Sequence, residues 1–514
     1  MKTILLAGTM MMVLAGTAAA RDIVVAQSSD LRSSNPGVNR DGNTDGVILH
    51  IVEGLVGYAN NGEVKPLLAE SVDMAPDGLS YTFKLRGGVT FHNGKALTAQ
   101  DVVWNWNRYM DPQTKWTCIK DFDGNGAVHV TGITAVDAST VTMTLERPSA
   151  VFLGLMSRPE CGYTGIISPD SVAADGTFDK PIGTGPFQWD TWKKGEYVHL
   201  AKFDGYVSPK NDGKPDGMVG SKRPLVDGIK FMVIPDASTV KAGLQSGVLD
   251  TAEISPDLIP EFKDSDKTQL IIARNNGKNL FYIQTRDPVL GKPAIRRAMA
   301  QALDLDQLVA AASNGTGEAN GSMVSSDSVY FSDVQKKRLP YDLDAAKKEL
   351  DAAAYKGEPI SIIANKRGNV PSFSAAVMAQ AMLQQIGLNV QIEVLDYATQ
   401  VDRRRSGNYQ IISQSVAPRL DPALMYSFYV GDKDKNASLM WDDPKARELM
   451  KAAYGEIDPK KRQAIFDAFH ELMLQEMPGI FLYDMVDVWG ATKALKGQPV
   501  WQSNARLWEV SLDK

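Results

Sequence analysis

The hydrophobic pattern of the first half of the chain predicts mostly strands. Residues 79–85 alternate, with Tyr81, Phe83 and Leu85 apolar between polar neighbours, a spacing of two that is typical of a half-buried strand. Other short runs rich in apolar and β-branched residues predict further strands at 22–26, 133–136, 141–145, 197–200 and 226–233. Gly183-Thr-Gly-Pro-Phe187 interrupts the pattern as a turn.

Two helices are predicted among these strands. In 44–56 the apolar residues Val47, Ile48, Ile51 and Leu55 form one helical stripe, for which Asn43 or Thr44 is a plausible N-cap. The second helix follows Thr98, whose hydroxyl suits an N-cap position.

Beyond about residue 235 the pattern changes to alternating helices and strands. Helices are predicted at 237–246, 293–312, 343–354, 374–386, 444–454 and 459–475, and strands at 360–363, 390–394 and 410–412. Such alternation is typical of an α/β architecture. At 514 residues the chain is too long for one core, so two or three domains are expected.

The N-terminus reads as a secretory signal peptide. Lys2 precedes an apolar run from Ile4 to Leu14, and Ala18 and Ala20 offer a cleavage site before Arg21. The apolar run is too short to span a bilayer, and no cysteine follows it that could carry a lipid. We therefore expect residues 1–20 to be removed and the protein to be exported to the periplasm without a membrane anchor.

Composition and charge exclude several classes of protein. The hydrophobic share of 44% excludes a disordered chain. The net charge of −6 argues against a nucleic-acid partner or an anionic membrane surface, both of which need a basic patch. The two cysteines, Cys118 and Cys161, are expected to form a disulfide in an oxidising compartment. Five scattered histidines have no metal-ligand spacing, so neither a metal nor a cofactor is expected.

No motif in the chain carries a reaction. The sequence has no G-x-S-x-G, H-E-x-x-H, P-loop or dinucleotide fingerprint. His92 could act as a general base, but a packing role in its turn is the more common one. An exported hydrolase therefore stays as the weaker alternative to a binding protein.

Several segments resemble one family, and they occur in the family's order. The resemblance rests on segments such as Leu68-Ala-Glu-Ser-Val72, 77–86, 89–103, Gly183-Thr-Gly-Pro-Phe187, Leu244-Gln-Ser-Gly-Val-Leu-Asp250, 294–304, 405–410 and Glu476-Met-Pro-Gly-Ile-Phe-Leu-Tyr483. They are similar to family 5 of the extracellular solute-binding proteins, the peptide- and nickel-type receptors of ABC importers. The similarity extends over essentially the whole chain after residue 20.

The resemblance implies a two-lobed α/β periplasmic binding protein of the cluster C type with an extra β-rich domain near the N-terminus. Lobe I would combine 21–57, 183–272 and 486–514, the inserted β-rich domain would cover 58–182, and lobe II would cover 273–485. The ligand would lie between the lobes and be enclosed by hinge closure. The resemblance further implies a monomer that delivers its ligand to an ABC permease and its ATPase subunits.

The same resemblance identifies candidate ligand-binding residues around one departure from the family pattern. Peptide-binding members hold the ligand's α-amino group with an Asp in a W-x-A-D-x-x-[D/E]-P stretch. The matching stretch is Ser415-Val-Ala-Pro-Arg-Leu-Asp-Pro422, with Pro418 in place of that Asp and Ser415 in place of the Trp. Asp421 keeps the later acidic position, and Arg419 beside the gap could bind a carboxylate or phosphate instead.

Four more residues are candidates, each with a structural alternative. Arg158 lies where some non-peptide members hold a carboxylate, although it and Arg419 could equally form salt bridges. Asn43 and Asp45 fall on a loop expected to face the cleft, although both are also suited to helix capping. Trp116 could stack on a ligand, although such aromatics are as often in the core.

Three functions remain open at this point. The main interpretation is a receptor for a short peptide or peptide-like solute. The alternative is a receptor of the same fold for an acidic solute such as an opine, a sugar acid or phosphate, or a metal chelate. The exported hydrolase is the third.

Overall fold

The computed structural model describes residues 21–209, 213–367, 370–501 and 504–513. The predicted signal peptide, 1–20, lies outside the described residues. The strands are β1 (Ile23–Gln27), β2 (Val56–Tyr58), β3 (Val64–Pro66), β4 (Ala69–Met74), β5 (Ser80–Leu85), β6 (Val130–Ala135), β7 (Thr140–Leu145), β8 (Phe187–Lys193), β9 (Tyr197–Lys202), β10 (Gly228–Val233), β11 (Thr251–Glu253), β12 (Thr268–Ile283), β13 (Ile360–Ala364), β14 (Val390–Val394), β15 (Ile411–Val416), β16 (Gly479–Thr492), β17 (Leu495–Lys496), β18 (Val500–Trp501), β19 (Asn504–Ala505) and β20 (Ser511–Leu512).

Helices cover most of the intervening segments of the second half. The helices are α1 (Gly42–Ile48), α2 (Ala99–Met110), α3 (Ile119–Phe122), α4 (Phe152–Met156), α5 (Ala237–Ser246), α6 (Ile259–Lys263), α7 (Pro293–Ala302), α8 (Leu305–Ala312), α9 (Leu343–Ala352), α10 (Ser372–Gln384), α11 (Tyr397–Ser406), α12 (Pro422–Tyr426), α13 (Pro444–Gly455) and α14 (Pro459–Glu476). Short 3-10 helices occur at Pro112–Thr114, Pro159–Thr164, Pro169–Ser171 and Pro256–Leu258.

One ten-stranded sheet runs through the molecule in the order β14-β13-β15-β12-β16-β11-β1-β10-β9-β8. We call the part with β1 and β8–β11 the first lobe and the part with β13–β15 the second lobe. The long strands β12 and β16 pair antiparallel from Thr268↔Thr492 to Tyr282↔Gly479 and so belong to both lobes. We call them the crossing strands. The expected lobe boundaries at 272/273 and 485/486 fall within these two strands.

The crossing strands are irregular in the middle. Their register shifts between Arg274 and Lys278, where Asn276 has a φ of +63°. A side chain at Gly277 would meet Met485 Sδ and the Val416 carbonyl at 2.7 Å, so this position requires glycine. A fully buried ion pair lies beside the shift, with Lys278 Nζ 2.5 Å from Asp484 Oδ1.

A separate four-stranded antiparallel sheet, β4-β5-β7-β6, lies within the expected inserted domain. Helix α2 begins at the predicted N-cap, where Thr98 and Asp101 form a capping box. The inner face of the sheet and the apolar face of α2 share a buried core that includes Phe83, Trp106 and Met143. The structure joins Cys118 and Cys161 in a disulfide in this region.

Several predicted elements differ in extent from the observed ones. The helix expected at 44–56 is only Gly42–Ile48, and its N-cap is Asp41 rather than Asn43 or Thr44. It stops early because the following residues turn the chain towards an antiparallel bridge between Glu53 and Ile166. The helix expected at 293–312 divides in two, since Asp304 caps a new helix, α8. No helix in the described part of the chain is both long and apolar enough to cross a membrane.

Candidate functional site

A cavity of about 650 Å³ lies between the lobes. The first lobe supplies its floor from β1, β10 and β11, including Val25, Phe231 and Ala252. The second lobe contributes Arg367, which follows β13, and Ala417 and Pro418, which follow β15. The volume is in the range of roughly 300–1,000 Å³ that holds small-molecule ligands.

Helix α1 places Asp45, one of the predicted ligand-binding residues, at the cavity. The Asp41 carboxylate accepts the Thr44 backbone N–H at 2.9 Å and its hydroxyl at 2.8 Å, which caps the helix. Asp45, one turn further, lines the cavity and accepts two hydrogen bonds from the Arg40 guanidinium, that from Nε at 3.0 Å. Asp45 therefore contacts the cavity as half of an ion pair.

Asn43 also lines the cavity. Its side-chain amide donates to Ser29 Oγ at 2.6 Å, and its backbone carbonyl accepts from Gln27 Nε2 at 3.2 Å. Asn43 and Asp45 thus both line the cavity, and Asp41 rather than either of them caps the helix.

The two predicted anion-binding arginines are both engaged with acidic residues. Arg419 Nη1 lies 2.8 Å from Glu160 Oε1, and Arg158 Nη1 lies 2.9 Å from Asp121 Oδ2, with Arg158 Nε 3.5 Å from Glu160. Burial acts to raise the pKa of Glu160, but Arg419 and Arg158 outweigh it and hold that pKa below its ordinary value. The structure therefore supports the salt-bridge alternative for both arginines.

Trp116 and Asp421 do not reach this cavity. Trp116 is 2% exposed, stacks on Phe122 and donates its indole N–H to the Cys161 carbonyl at 3.0 Å, so it belongs to the core rather than to a stacking platform. Asp421 caps α12 and forms a two-bond ion pair with Arg462, both bonds 2.7 Å. Asp421 lines a different cavity, of about 370 Å³, beside Tyr58 and Tyr330.

Two of the cavity-lining charges that sequence reasoning missed have no charged partner among the described residues. Glu253, at the end of β11, has no hydrogen bond or ion pair among the described residues. The Arg367 guanidinium lies over the Tyr397 ring, 4.4 Å from its centroid, and has no acidic partner in the described part of the chain. Their only sequence signal is position, since each stands within three residues of the end of a short strand in the main sheet.

The Glu253 carboxyl group is open to the cavity, but the surrounding protein takes away most of its bulk water. This desolvation, reinforced by the nearby Asp487 carboxylate, raises the pKa of Glu253 to about 7. Desolvation also raises the pKa of Asp45 to about 7, against the two bonds from Arg40. The cavity thus holds two carboxyl groups that ionise near neutral pH.

Two lobes joined by a pair of crossing strands, with a charged cavity between them, define a two-lobed periplasmic binding protein. The protein belongs to the bacterial extracellular solute-binding proteins, family 5, since the model of the family's middle region matches residues 63–438. Proteins of this family are solute-binding components of ABC importers.

Individual relatives agree with this assignment. The glutathione-binding protein GsiB of Escherichia coli (strain K12) is 27% identical over 381 residues, which are 74% of this chain and 70% of GsiB. The ABC transporter substrate-binding protein CtaP of Listeria monocytogenes has a TM-score of 0.83 at 23% identity, with 96% of this chain and all of that chain aligned. The periplasmic binding protein DppA of Helicobacter pylori, in complex with the peptide STSA, has a TM-score of 0.73 at 24% identity, covering 96% and 98% of the two chains.

Proposed function

We propose that this protein captures a short peptide or peptide-like solute in the periplasm, between its two lobes, and delivers it to an ABC permease. The observation that carries the proposal is the cavity, where the charges without partners among the described residues have opposite signs and come from different lobes. A zwitterionic ligand that spans the cleft would pair with both. GsiB, which binds glutathione, and DppA, which holds a peptide, support the same ligand class.

The acidic-solute alternative fits the same cavity less well. Its two expected anchors, Arg158 and Arg419, already neutralise Asp121 and Glu160. A ligand with only negative charge could use Arg367 but would share the cavity with the Glu253 carboxylate, and like charges repel. The exported hydrolase has less support, because neither a histidine nor a cysteine is among the described residues that line the cavity.

In this proposal Arg367 binds the carboxylate of the ligand. A guanidinium offers two parallel N–H donors that match a carboxylate, and stacking on Tyr397 holds it in place. The Asp121, Glu160 and Asp45 carboxylates are each paired with other arginines and so do not compete for it.

Calorimetry with trialanine, glutathione and gluconate tests the ligand class, with Arg367→Gln as the variant. We expect the two peptides to bind, and trialanine to bind the variant about 10- to 100-fold more weakly, because a charge-assisted hydrogen bond is worth ~1.5–3 kcal/mol. Trialanine amide has no C-terminal carboxylate for Arg367 to bind, so it should bind the wild type and Arg367→Gln with the same affinity. Arg405→Gln is the matched control. Arg405 is well exposed, and its ion pair with Asp402 is long, at 4.0 Å, so its loss should have little effect on the protein.

Two results would go against the proposal. Binding of gluconate with no binding of either peptide would favour the acidic-solute receptor. Recovery of cleaved peptide after incubation, detected by mass spectrometry, would favour the hydrolase, whereas a receptor returns its ligand unchanged.

A further inference from the structure

Most charged side chains on the cavity wall are already bonded within the protein. Asp41 caps α1, Asp45 is paired with Arg40, and Glu160 is paired with Arg419. Glu253 is the acidic exception among the described residues that line the cavity. Glu253 is exposed to the cavity, so its carboxylate is available to a cation that the described residues of the cavity wall do not supply.

The backbone holds Glu253 in a fixed position. Strand β11 lies inside the main sheet between β1 and β16, and Glu253 pairs with Trp489 on β16. The preceding residues Thr251 and Ala252 are buried. Because β11 cannot shift without breaking its ladder hydrogen bonds to β1 and β16, the backbone of Glu253 keeps its place at the cavity wall.

A second carboxylate strengthens the negative potential at this point. Asp487, on the neighbouring strand β16, accepts the Asn275 amide at 2.7 Å and acts on Glu253 through space. Ile254, Leu258 and Trp489 contribute apolar surface to the same cavity wall. A group of positive charge bound here would be stabilised by both carboxylates at low local dielectric.

The described residues that the second lobe contributes to the cavity include no carboxylate. Pro418, which stands where peptide-binding members of the family carry the amine-binding Asp, lines this same cavity. The proline side chain has no carboxylate that could accept hydrogen bonds from an ammonium group, and the Pro418 carbonyl already accepts from Arg419 Nη1 at 2.9 Å. The wall from the second lobe therefore cannot hold an amine at that position, while the wall from the first lobe carries a carboxylate with no partner among the described residues.

We propose that Glu253 binds the cationic group of the ligand, a primary ammonium or a guanidinium, and so takes over from the first lobe the role lost at Pro418. This inference rests on the proposed function for the identity of the ligand as a peptide. It makes Glu253 the residue that selects ligands with a free amine or guanidine over neutral or acylated ones.

Calorimetry with the full-length mature protein and its Glu253→Gln variant tests the assignment. Glutamine keeps the size and hydrogen-bonding reach of glutamate and removes only the charge. We expect trialanine to bind the variant about 10- to 100-fold more weakly, and N-acetyl-trialanine to bind both proteins equally and weakly. Ala-Lys-Ala and its Nε-acetyl-lysine form show whether the bound cation is the α-amine or a side chain.

Glu261→Gln is the matched control. Glu261 lies on α6, near β11 in the chain, and is paired with Lys241 outside the cavity. Its loss should leave trialanine binding unchanged, and circular dichroism should show that both variants are folded. Equal affinity of trialanine for the wild type and for Glu253→Gln would overturn the inference.

Failure of the peptide proposal can be told apart from failure of this inference. If no peptide binds the wild type, a thermal-shift assay with small compounds takes the place of peptide calorimetry. Agmatine and putrescine carry only positive charge, and neutral 1,4-butanediol is the uncharged comparison. Stabilisation by the two cations that disappears in Glu253→Gln would uphold the role of Glu253 and reject the peptide. No stabilisation of the wild type by either cation would reject both.

Discussion

At the scale of single residues, the cavity combines carboxyl groups whose protonation depends on their surroundings. Glu253 and Asp45 both have pKa values raised to about 7, in each case mainly by burial. The ionised form of Glu253 has no partner among the residues that the structure describes, so a cationic ligand would stabilise it. Binding should therefore be coupled to release of a proton.

The affinity for trialanine should rise with pH between 5.5 and 7.5. Only the ionised form of Glu253 attracts the ammonium group, so affinity falls roughly tenfold for each pH unit below its pKa. Above pH ~8 the α-amine of the peptide itself loses its proton and affinity should fall again. The stability of the unliganded protein should change in the opposite direction. Because the pKa of Glu253 is raised by folding, the free energy of unfolding declines as pH rises from 4.5 towards 7.

Calorimetry across this pH range measures the effect. The charged groups around Glu253 are Asp487 on β16 and, on the rest of the cavity wall, Arg40, Asp41, Asp45, Glu160 and Arg367. The Glu253→Gln variant removes one of the two groups that titrate near 7, so any slope left in the variant belongs to Asp45. A slope identical in both proteins would exclude Glu253 as its source.

At the scale of elements, a short covalent connection supports one wall of the cavity. Cys118 is the N-cap residue of α3, and Cys161 lies in the 3-10 helix Pro159–Thr164 that also carries Glu160. Trp116 packs over this connection, with its indole N–H on the Cys161 carbonyl. The position of Glu160 at the cavity thus depends on a segment that the disulfide ties to the inserted sheet.

Replacing both cysteines, Cys118→Ala with Cys161→Ala, should lower the free energy of unfolding by about 2–4 kcal/mol. The disulfide spans 43 residues, and a loop of that length removes up to ~4 kcal/mol of chain entropy from the unfolded state. Urea unfolding of the oxidised wild type and of the double variant measures the difference. Wild type treated with dithiothreitol is the control and should unfold like the variant, and a difference below ~1 kcal/mol would show that the connection contributes little.

At the scale of the whole molecule, the two lobes share the crossing strands. The buried pair Lys278–Asp484 joins β12 to β16, Lys278 Nζ also donates to the Val324 carbonyl at 3.0 Å, and Asp484 accepts from the Asn320 amide at 3.0 Å. Burial lowers the pKa of Lys278, while for Asp484 the neighbouring Lys278 and Ser326 outweigh burial and lower its pKa. Both lobes therefore depend on an ion pair that has no access to solvent.

Lys278→Met should destabilise the protein by about 3–5 kcal/mol. Methionine preserves the apolar stem but leaves the Asp484 carboxylate buried without its counter-ion. Thermal and urea unfolding measure the loss. The double variant Lys278→Met with Asp484→Asn removes the stranded charge and should recover part of it, and a single variant within ~1 kcal/mol of the wild type would contradict the importance of the pair.

The sequence pattern predicted individual elements well where burial is one-sided. Helix α5 was predicted with its observed bounds, and β5 and the Thr98 cap of α2 were predicted correctly. The crossing strands were not predicted, because much of each is buried on both faces and lacks the alternation that marks a half-buried strand. The helix at 44–56 was too long because its apolar residues Ile51, Val52 and Leu55 pack against other segments without being helical.

The candidate site divides in a similar way. The family motifs brought attention to α1 and to the stretch 415–422, and Asn43, Asp45 and Pro418 do line the cavity. The roles of Arg158 and Arg419 could not be read from the chain, since the partner of Arg419 is 259 residues away. The sequence also could not show that Glu253 has no partner among the described residues. The residues next to a charge in the chain do not indicate whether a distant residue pairs with it.

By itself the sequence determined the class of protein, the α/β architecture and the bounds of several helices, since periodicity, capping residues and ordered motifs are local properties of the chain. Only the tertiary structure decided which charges face the cavity and which of them are already neutralised. Ion pairing depends on distances of a few ångströms between residues far apart in sequence, and Coulomb energies change steeply over those distances. The electrostatic character of the cavity, and with it the choice of ligand, is therefore a property of the folded molecule.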